Sequence, residues 1–203
     1  MNKVLAPTKG NLMAAKNTLR LSKQGYEMLD KKRNILIREM MQRIEEAKDV
    51  QANIEDTFRE AYQALGTANL IMGVEHVEDL MHAIVVENGV EMKLRSVMGV
   101  ELPVVSCKES IEKVPYSLYS TNSALDEAVQ KFTAVKKLTI RLAEIENAVY
   151  RLAMNIKKTQ KRANALKNIT IPLYEGLTKS ISNALEEKER EEHTRLKIIK
   201  KNG

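Results

Sequence analysis

The sequence predicts an all-α-dominated protein in which the N- and C-terminal segments of one chain form a long antiparallel two-helix coiled coil around a small insert of short helix and β-hairpin. Three observations carry this. From Tyr26 to Leu65 and from Tyr116 to Ile171 there is no Gly and no Pro, in a chain that has 8 Gly and 4 Pro. Ile145, Val149, Leu152, Ile156, Thr159, Ala163 and Leu166 advance by alternating steps of four and three, the a/d spacing of a heptad repeat. Between the two runs the pattern changes to β-branched residues punctuated by turn signals.

Thr8, after Pro7, is placed to cap the first helix, and Leu12, Leu19, Leu29, Leu36, Met40 and Ile44 continue an apolar stripe. Gly25 interrupts it, either as a weak spot or as a close backbone approach. Ile44, Ala47, Val50, Ile54, Phe58, Ala61 and Leu65 average 3.5 residues per step and supply the partner seam for the later run. Gly66 is expected to end this helix, with Thr67 to Ala83 forming one or two short helical turns broken at Gly73.

Strands are expected near residues 90–97 and 100–106, with the turn at Met98-Gly99 and Asn88-Gly89 as a rival turn. A lone hairpin is marginal in water and should pack on the helices or on another protein. After Pro115, helix resumes with Ser120, Thr121 or Asn122 as cap, ahead of Leu125, Val129, Phe132 and Val135. Pro172 should kink the helix near Asn168 or make it restart, because it lacks the donor for that carbonyl and crowds it. Beyond it Leu173, Leu177, Ile181 and Leu185 advance by four, a stripe that drifts off the heptad. The expected division is residues 1–65 as N-terminal helix, 66–120 as insert and 121–203 as C-terminal helix. At 1.5 Å per residue the two helices would run roughly 87 and 117 Å.

Eight aromatic side chains in 203 residues, none of them Trp, are poor material for a spherical core. Charge is uneven: Lys and Arg exceed Asp and Glu by 3 in residues 1–65 and by 7 in residues 121–203, whereas residues 66–120 carry a net −4. The acidic middle and the basic ends should face different partners. The single Cys107 excludes an internal disulfide, Lys3 and Lys9 interrupt any signal-like apolar core, and no window is long and apolar enough to span a membrane.

No phosphate-binding glycine loop, paired-cysteine knuckle or nucleophile elbow occurs, so neither a cofactor nor catalysis is expected. His76, Glu78, Asp79 and His82 come nearest to a metal cluster and read as solvated side chains. The basic runs Lys157, Lys158, Lys161, Arg162, Lys167 and Arg195, Lys197, Lys200, Lys201 leave open a basic coiled-coil adaptor or nucleic-acid-associated protein. No aromatic residues are interleaved with them for base stacking, and Glu186, Glu187, Glu189, Glu191 and Glu192 flank the tail.

Specific motifs then narrow the reading. Pro7-Thr8-Lys9 with Leu12, Leu19, Gly25, Leu29 and Lys32 resembles the start of the D subunit, the central rotor shaft of V-type and A-type ATPases. Ser96-Val97-Met98-Gly99-Val100-Glu101-Leu102-Pro103 is similar to that family's middle segment. Thr159-Gln160-Lys161-Arg162-Ala163-Asn164-Ala165-Leu166, Ile171-Pro172, the glutamates from Glu186 and Arg195-Leu196-Lys197 resemble its C-terminal signature. The family commonly has two or three Arg followed by Val where this chain has Gln160 to Ala163.

The resemblance implies a non-catalytic rotor subunit, cytoplasmic and peripheral to the membrane. It would transmit torque between a catalytic hexamer of A and B subunits and a membrane ring that carries protons or sodium ions. Its implied partners are the A and B subunits, the F subunit and the stalk subunit next to the ring, with no nucleic acid and no membrane insertion. Ile54, Phe58, Ile145, Val149, Leu152, Ile156 and Leu166 would hold the seam. Lys9, Arg162, Asn164, Arg190 and Arg195 would face the hexamer, and Val90, Met92, Leu94, Met98, Gly99 and Val100 would dock the F subunit.

Overall fold

A computed structural model of the chain describes residues 6–83, 89–107, 116–117, 119 and 121–202. Thr8 caps the first helix as expected: its Oγ1 accepts from the Asn11 N–H at 3.2 Å and its carbonyl from Leu12 at 3.0 Å. Helix α1 then runs from Lys9 to Met72 and α2 from Val74 to Ala83. Strands β1 (Val90–Val97) and β2 (Val100–Cys107) precede α3 (Ser123–Ala165). A π-helical turn, Leu166–Thr170, leads into α4 (Ile171–Asn202). The fold is therefore helical with one small hairpin, as the periodicities predicted.

Two compact units form: a terminal unit that joins the two ends of the chain, Met1–Ile35 with Ile156–Gly203, and a central unit of the continuous segment Leu36–Asn155. Within each, pairing is antiparallel. In the terminal unit Lys9 pairs with Glu189, Lys23 with Glu175 and Arg33 with Gln160, so one partner's number falls as the other's rises. In the central unit Arg141 meets Glu46 and Lys131 meets Glu60 in the same sense.

The seams of the two units differ in bulk. Leu36, Ile145 and Leu152 are fully buried in the central unit, each contributing about 1.5–3 kcal/mol through its removal from water. The terminal seam is built on Ala15, Ser22, Thr159, Ala163 and Ile181, mostly small side chains that let helix backbones approach closely. Gly25 belongs to this close packing: a Cβ placed there would stand 3.6 Å from the Leu166 side chain, ordinary contact distance.

Helix α1 does not end at Gly66. It continues to Met72 and stops at Gly73, whose φ of +86° is the left-handed conformation that favours glycine. Burial outweighs the weak propensity of Gly66: Ala68 is fully buried two residues on, and Leu65 and Met72 pack on a core of Val77, Tyr116 and Leu125. The same core holds α2 and the start of α3, where the Tyr116 hydroxyl donates to Asp126 at 2.7 Å. Of the three candidate caps for α3, Asn122 serves, its carbonyl accepting from Leu125 and its side chain from Ser123.

The hairpin turns at Met98-Gly99, both with positive φ (50° and 74°), the backbone of a two-residue turn matched to strand twist. Residue 88 of the rival turn lies outside the described residues. Val97 pairs with Val100 and Leu94 with Pro103. Counting alternate pairs back from the turn puts Pro103 in a non-hydrogen-bonded pair, where its missing N–H breaks no ladder bond. The hairpin lies over α3, enclosing a cleft of about 260 Å³ between Val90, Met92, Pro103 and Val105 on one side and Ile140, Ala143, Glu144, Asn147 and Arg151 on the other. Arg151 donates to the Glu101 carbonyl at 3.1 Å.

Pro172 neither ends the helix nor makes it restart after a break. Residues 166–170 widen into a π turn, and the Ile171 N–H reaches back five residues to the Leu166 carbonyl. One extra residue is thereby accommodated, and the seam downstream advances by one position. Tyr174 is half-buried and Ile181 is 3% exposed, while Leu173, expected on the stripe, is 54% exposed.

Gly66→Ala, with open space around the new methyl, should raise stability by about 1 kcal/mol, whereas Gly73→Ala should lower it by about the same through strain; urea unfolding checks both signs. Pro172→Ala should keep the π turn, because an ordinary α-turn would expel Ile181 at a cost of about 2 kcal/mol for about 1 kcal/mol of recovered hydrogen bond. A disulfide between cysteines placed at Lys23 and Glu175 should then form equally well with and without the proline.

Candidate functional site

Among the described residues no group of three or more His, Cys, Asp or Glu side chains could hold a metal ion, and no helix is long and apolar enough to cross a membrane. The residues singled out from sequence lie on the helix seams and on the exposed faces of the helices and hairpin.

Of the seam residues named from sequence, Ile145 and Leu152 are fully buried, whereas Val149, Ile156, Leu166, Ile54 and Phe58 are half-buried. Phe58 stacks on Tyr62 with centroids 6.2 Å apart, and Tyr62 meets Phe132 of α3 edge-on at 5.6 Å. This aromatic bridge is worth about 0.5–1.5 kcal/mol per pair beyond its burial. Nearer the hairpin a groove opens between α1 and α3 over Ile44, Ala47, Val149 and Ala153, whose alanines are too short to fill it.

Charged groups reinforce the register. Arg141 spans from Glu46 on α1 (3.3 Å) to Glu144 on its own helix (3.1 Å), and Arg43 holds Glu39 and Glu46. Glu144 is buried, so Arg141 supplies the countercharge that its desolvated carboxylate requires. Lys131 donates to Glu60 at 2.6 Å across the two helices. That hydrogen bond, and after it the charge attraction, holds the Glu60 carboxyl below the usual carboxylate range and lifts the Lys131 ammonium above the usual lysine value.

The residues singled out toward the hexamer all lie in the terminal unit and are exposed. Lys9 pairs with Glu189 and Arg190 with Glu187, and Asn164 accepts from Gln160, which in turn accepts from Arg33. Arg162 and Arg195 point into solvent. In the hairpin Val90, Met92, Leu94, Met98 and Gly99 are exposed, an unusual concentration of apolar surface on one small element. Val100 differs: at 3% exposure its side chain belongs to the interior.

Two surfaces go beyond what the sequence patterns indicated. Leu70, Ile71 and Val74 are exposed around the Gly73 bend, Leu70 at 89%. They follow the last seam position, Leu65, and their failure to continue its period was the available signal. In the terminal unit Leu21, Met28 and Ile35 recur every seven residues on an exposed line of α1. Heptad spacing signalled that line too, but spacing alone does not distinguish a seam from a solvent-facing stripe.

Comparison with known proteins gives these surfaces a context. A family model that describes the D subunit of ATP synthase matches residues 11–201. The chain is similar to the V-type ATP synthase D subunit of Thermotoga neapolitana, at 47% identity over 196 residues, covering 97% of each chain. It is similar to the A-type ATP synthase D subunit of Methanobrevibacter smithii at 38% identity, covering 96% of this chain and 85% of the relative. The A-type D subunit of Pyrococcus horikoshii shares 34%, covering 97% and 93%.

The Glu60–Lys131 pair gives a signed pH dependence. The depressed Glu60 contributes stability above the usual carboxylate range and loses it as pH falls through its folded value. The raised Lys131 contributes below the usual lysine range and loses it as pH rises through its own folded value. Glu60→Gln should therefore lower the urea midpoint slightly at neutral pH, less so in high salt, and the gap to wild type should close at both acid and alkaline extremes.

Proposed function

Since the chain belongs to the D-subunit family of ATP synthases, we propose that it is the central-stalk rotor subunit of a V/A-type ATPase. It carries torque between the catalytic A/B hexamer and the membrane ring, coupling ATP hydrolysis or synthesis to proton or sodium ion transport. The observation that carries this reading is the near full-length family match on a chain whose first helix runs 64 residues without a break and pairs antiparallel with its C-terminal helices.

The geometry suits that task. Torque is borne by a seam whose separation would expose Leu36, Ile145 and Leu152 to water. Cross-helix pairs such as Arg141–Glu46 and Lys131–Glu60 oppose sliding of one helix past the other. Chemistry resides in the partners, and this subunit is non-catalytic. Residues 1–65 and 121–203 form the shaft, with Lys9, Arg162, Asn164, Arg190 and Arg195 toward the hexamer. Residues 66–120 form the docking insert. The F subunit takes the apolar hairpin surface, and the stalk subunit next to the ring takes the remaining acidic insert. The protein works on the cytoplasmic side, peripheral to the membrane, within the complex.

The decisive experiment combines the purified chain with A and B subunits and with the F subunit. Wild type should bind both and restore ATP-driven rotation to the hexamer; failure to bind the hexamer would remove the rotor reading. Met92→Asp with Leu94→Asp, both at exposed positions, should weaken F-subunit binding at least tenfold and leave hexamer binding unchanged. Unchanged binding of the F subunit would remove the hairpin's role alone.

A further inference from the structure

The hairpin leaves one of its two strands open to further pairing. β1 and β2 form a sheet by themselves, so each has one edge without a ladder neighbour. Val97 and Val100 close the two-residue turn as a hydrogen-bonded pair, and pairs alternate from there. Ser96, Leu94, Met92 and Val90 therefore aim their N–H and C=O groups away from β2. On the outer edge of β2 the Glu101 carbonyl accepts from Arg151 of α3, and Pro103 has no N–H to offer. β2 is thus closed to another strand, whereas β1 is exposed from Val90 to Ser96.

An edge of this kind takes a further strand by backbone pairing, and side chains decide which strand fits. β1 alternates Val90, Met92 and Leu94 with Glu91, Lys93 and Arg95. When two copies of β1 pair antiparallel, outward-facing residues must meet outward-facing residues, so each register is centred on a single residue. Centring on Glu91 sets that residue against its own copy, and centring on Lys93 does the same to Lys93. Centring on Leu94 sets Lys93 against Arg95. Centring on Met92 sets Glu91 opposite Lys93 on both sides of the axis, Val90 opposite Leu94 and Met92 opposite Met92. Of these registers only the last opposes no like charges. The attraction depends on sign alone and adds to the contacts Glu91 makes within its own chain.

We propose that the free chain pairs with a second copy of itself through β1, joining two hairpins into one four-stranded antiparallel sheet about a twofold axis at Met92. Val90, Met92 and Leu94 supply the hydrogen-bonded pairs, about six backbone bonds in all. Their side chains, now 51, 64 and 55% exposed, share one face and lose water as they meet across the axis. The contact is short, so the pair is weak, with a dissociation constant on the order of 10–100 μM. The charged residues that keep the edge from pairing at random are the ones that fix this register. The inference goes beyond the rotor reading and does not depend on it. Because it engages Met92 and Leu94, the pair belongs to the chain before any partner covers them.

Sedimentation of the full chain from about 5 to 500 μM should show a monomer–dimer equilibrium. Lys93→Glu and Glu91→Lys each oppose like charges across the axis and should raise the dissociation constant by about tenfold or more. The double variant Glu91→Lys/Lys93→Glu restores opposite signs and should return the constant to within about threefold of wild type. Both positions are exposed, so circular dichroism and melting temperature should stay unchanged. A second measurement alters no charge. In a Cys107→Ser background, Met92→Cys should form an intermolecular disulfide on oxidation, since a hydrogen-bonded pair holds its Cα atoms about 5.5 Å apart. Leu94→Cys, which faces Val90 of the second copy, should not. A wild-type chain that stays monomeric throughout the range, a dimer indifferent to the single charge reversals, or equal cross-linking at both cysteine positions overturns the proposal. The rotor reading stands in every case.

Discussion

Helix phase is the constraint on which the rest of this structure depends. Each unit is held by a seam about one side chain wide between antiparallel helices, and such a seam survives only while both helices keep the same apolar line turned inward. With Leu36, Ile145 and Leu152 fully buried and few aromatic residues available, the chain has little other core to fall back on. A slip of one residue on either helix would rotate the line by about a quarter-turn and expose it.

Several features that look independent are answers to that constraint. The salt-bridge set around Arg141 and Arg43 ties α1 to α3 at one register and gives the buried Glu144 its countercharge. Gly25 sits opposite Leu166, where small side chains bring the helices of the terminal unit close. The π turn at residues 166–170 restores phase after the heptad spacing gives way, and it does so next to the proline, where a backbone donor is already missing.

The central unit uses its seam as a platform. Because α3 is fixed against α1, it can support a hairpin too small to be stable alone, held by the Arg151 bond to the Glu101 carbonyl and by burial of Val100, Leu102 and Pro103. Exposed apolar residues on β1 are tolerable in this setting, since the strand does not have to collapse onto them to fold. The same logic applies to Leu70, Ile71 and Val74 around Gly73, where the core of Val77, Tyr116 and Leu125 secures the bend from behind.

Local patterns determined much of this protein directly. Heptad spacing declared the long helices, Thr8 and Asn122 were available as caps, and Met98-Gly99 placed the turn, because each of these depends on residues within one or two turns of chain. The order of short motifs pointed to the family. Tertiary structure decided the rest. Gly66 carries the same local signal as Gly73, and only packing of Leu65, Ala68 and Met72 on the central core shows which of the two ends α1. Leu173 and Tyr174 are both plausible seam residues by spacing. Burial of Ile181 eight residues past Leu173 settles the choice, because the whole downstream helix rotates as one body about the phase its partner imposes. Likewise the Leu21, Met28 and Ile35 line has a seam's period and yet faces water, since a period states that residues share a face and only the partner helix states which face is covered.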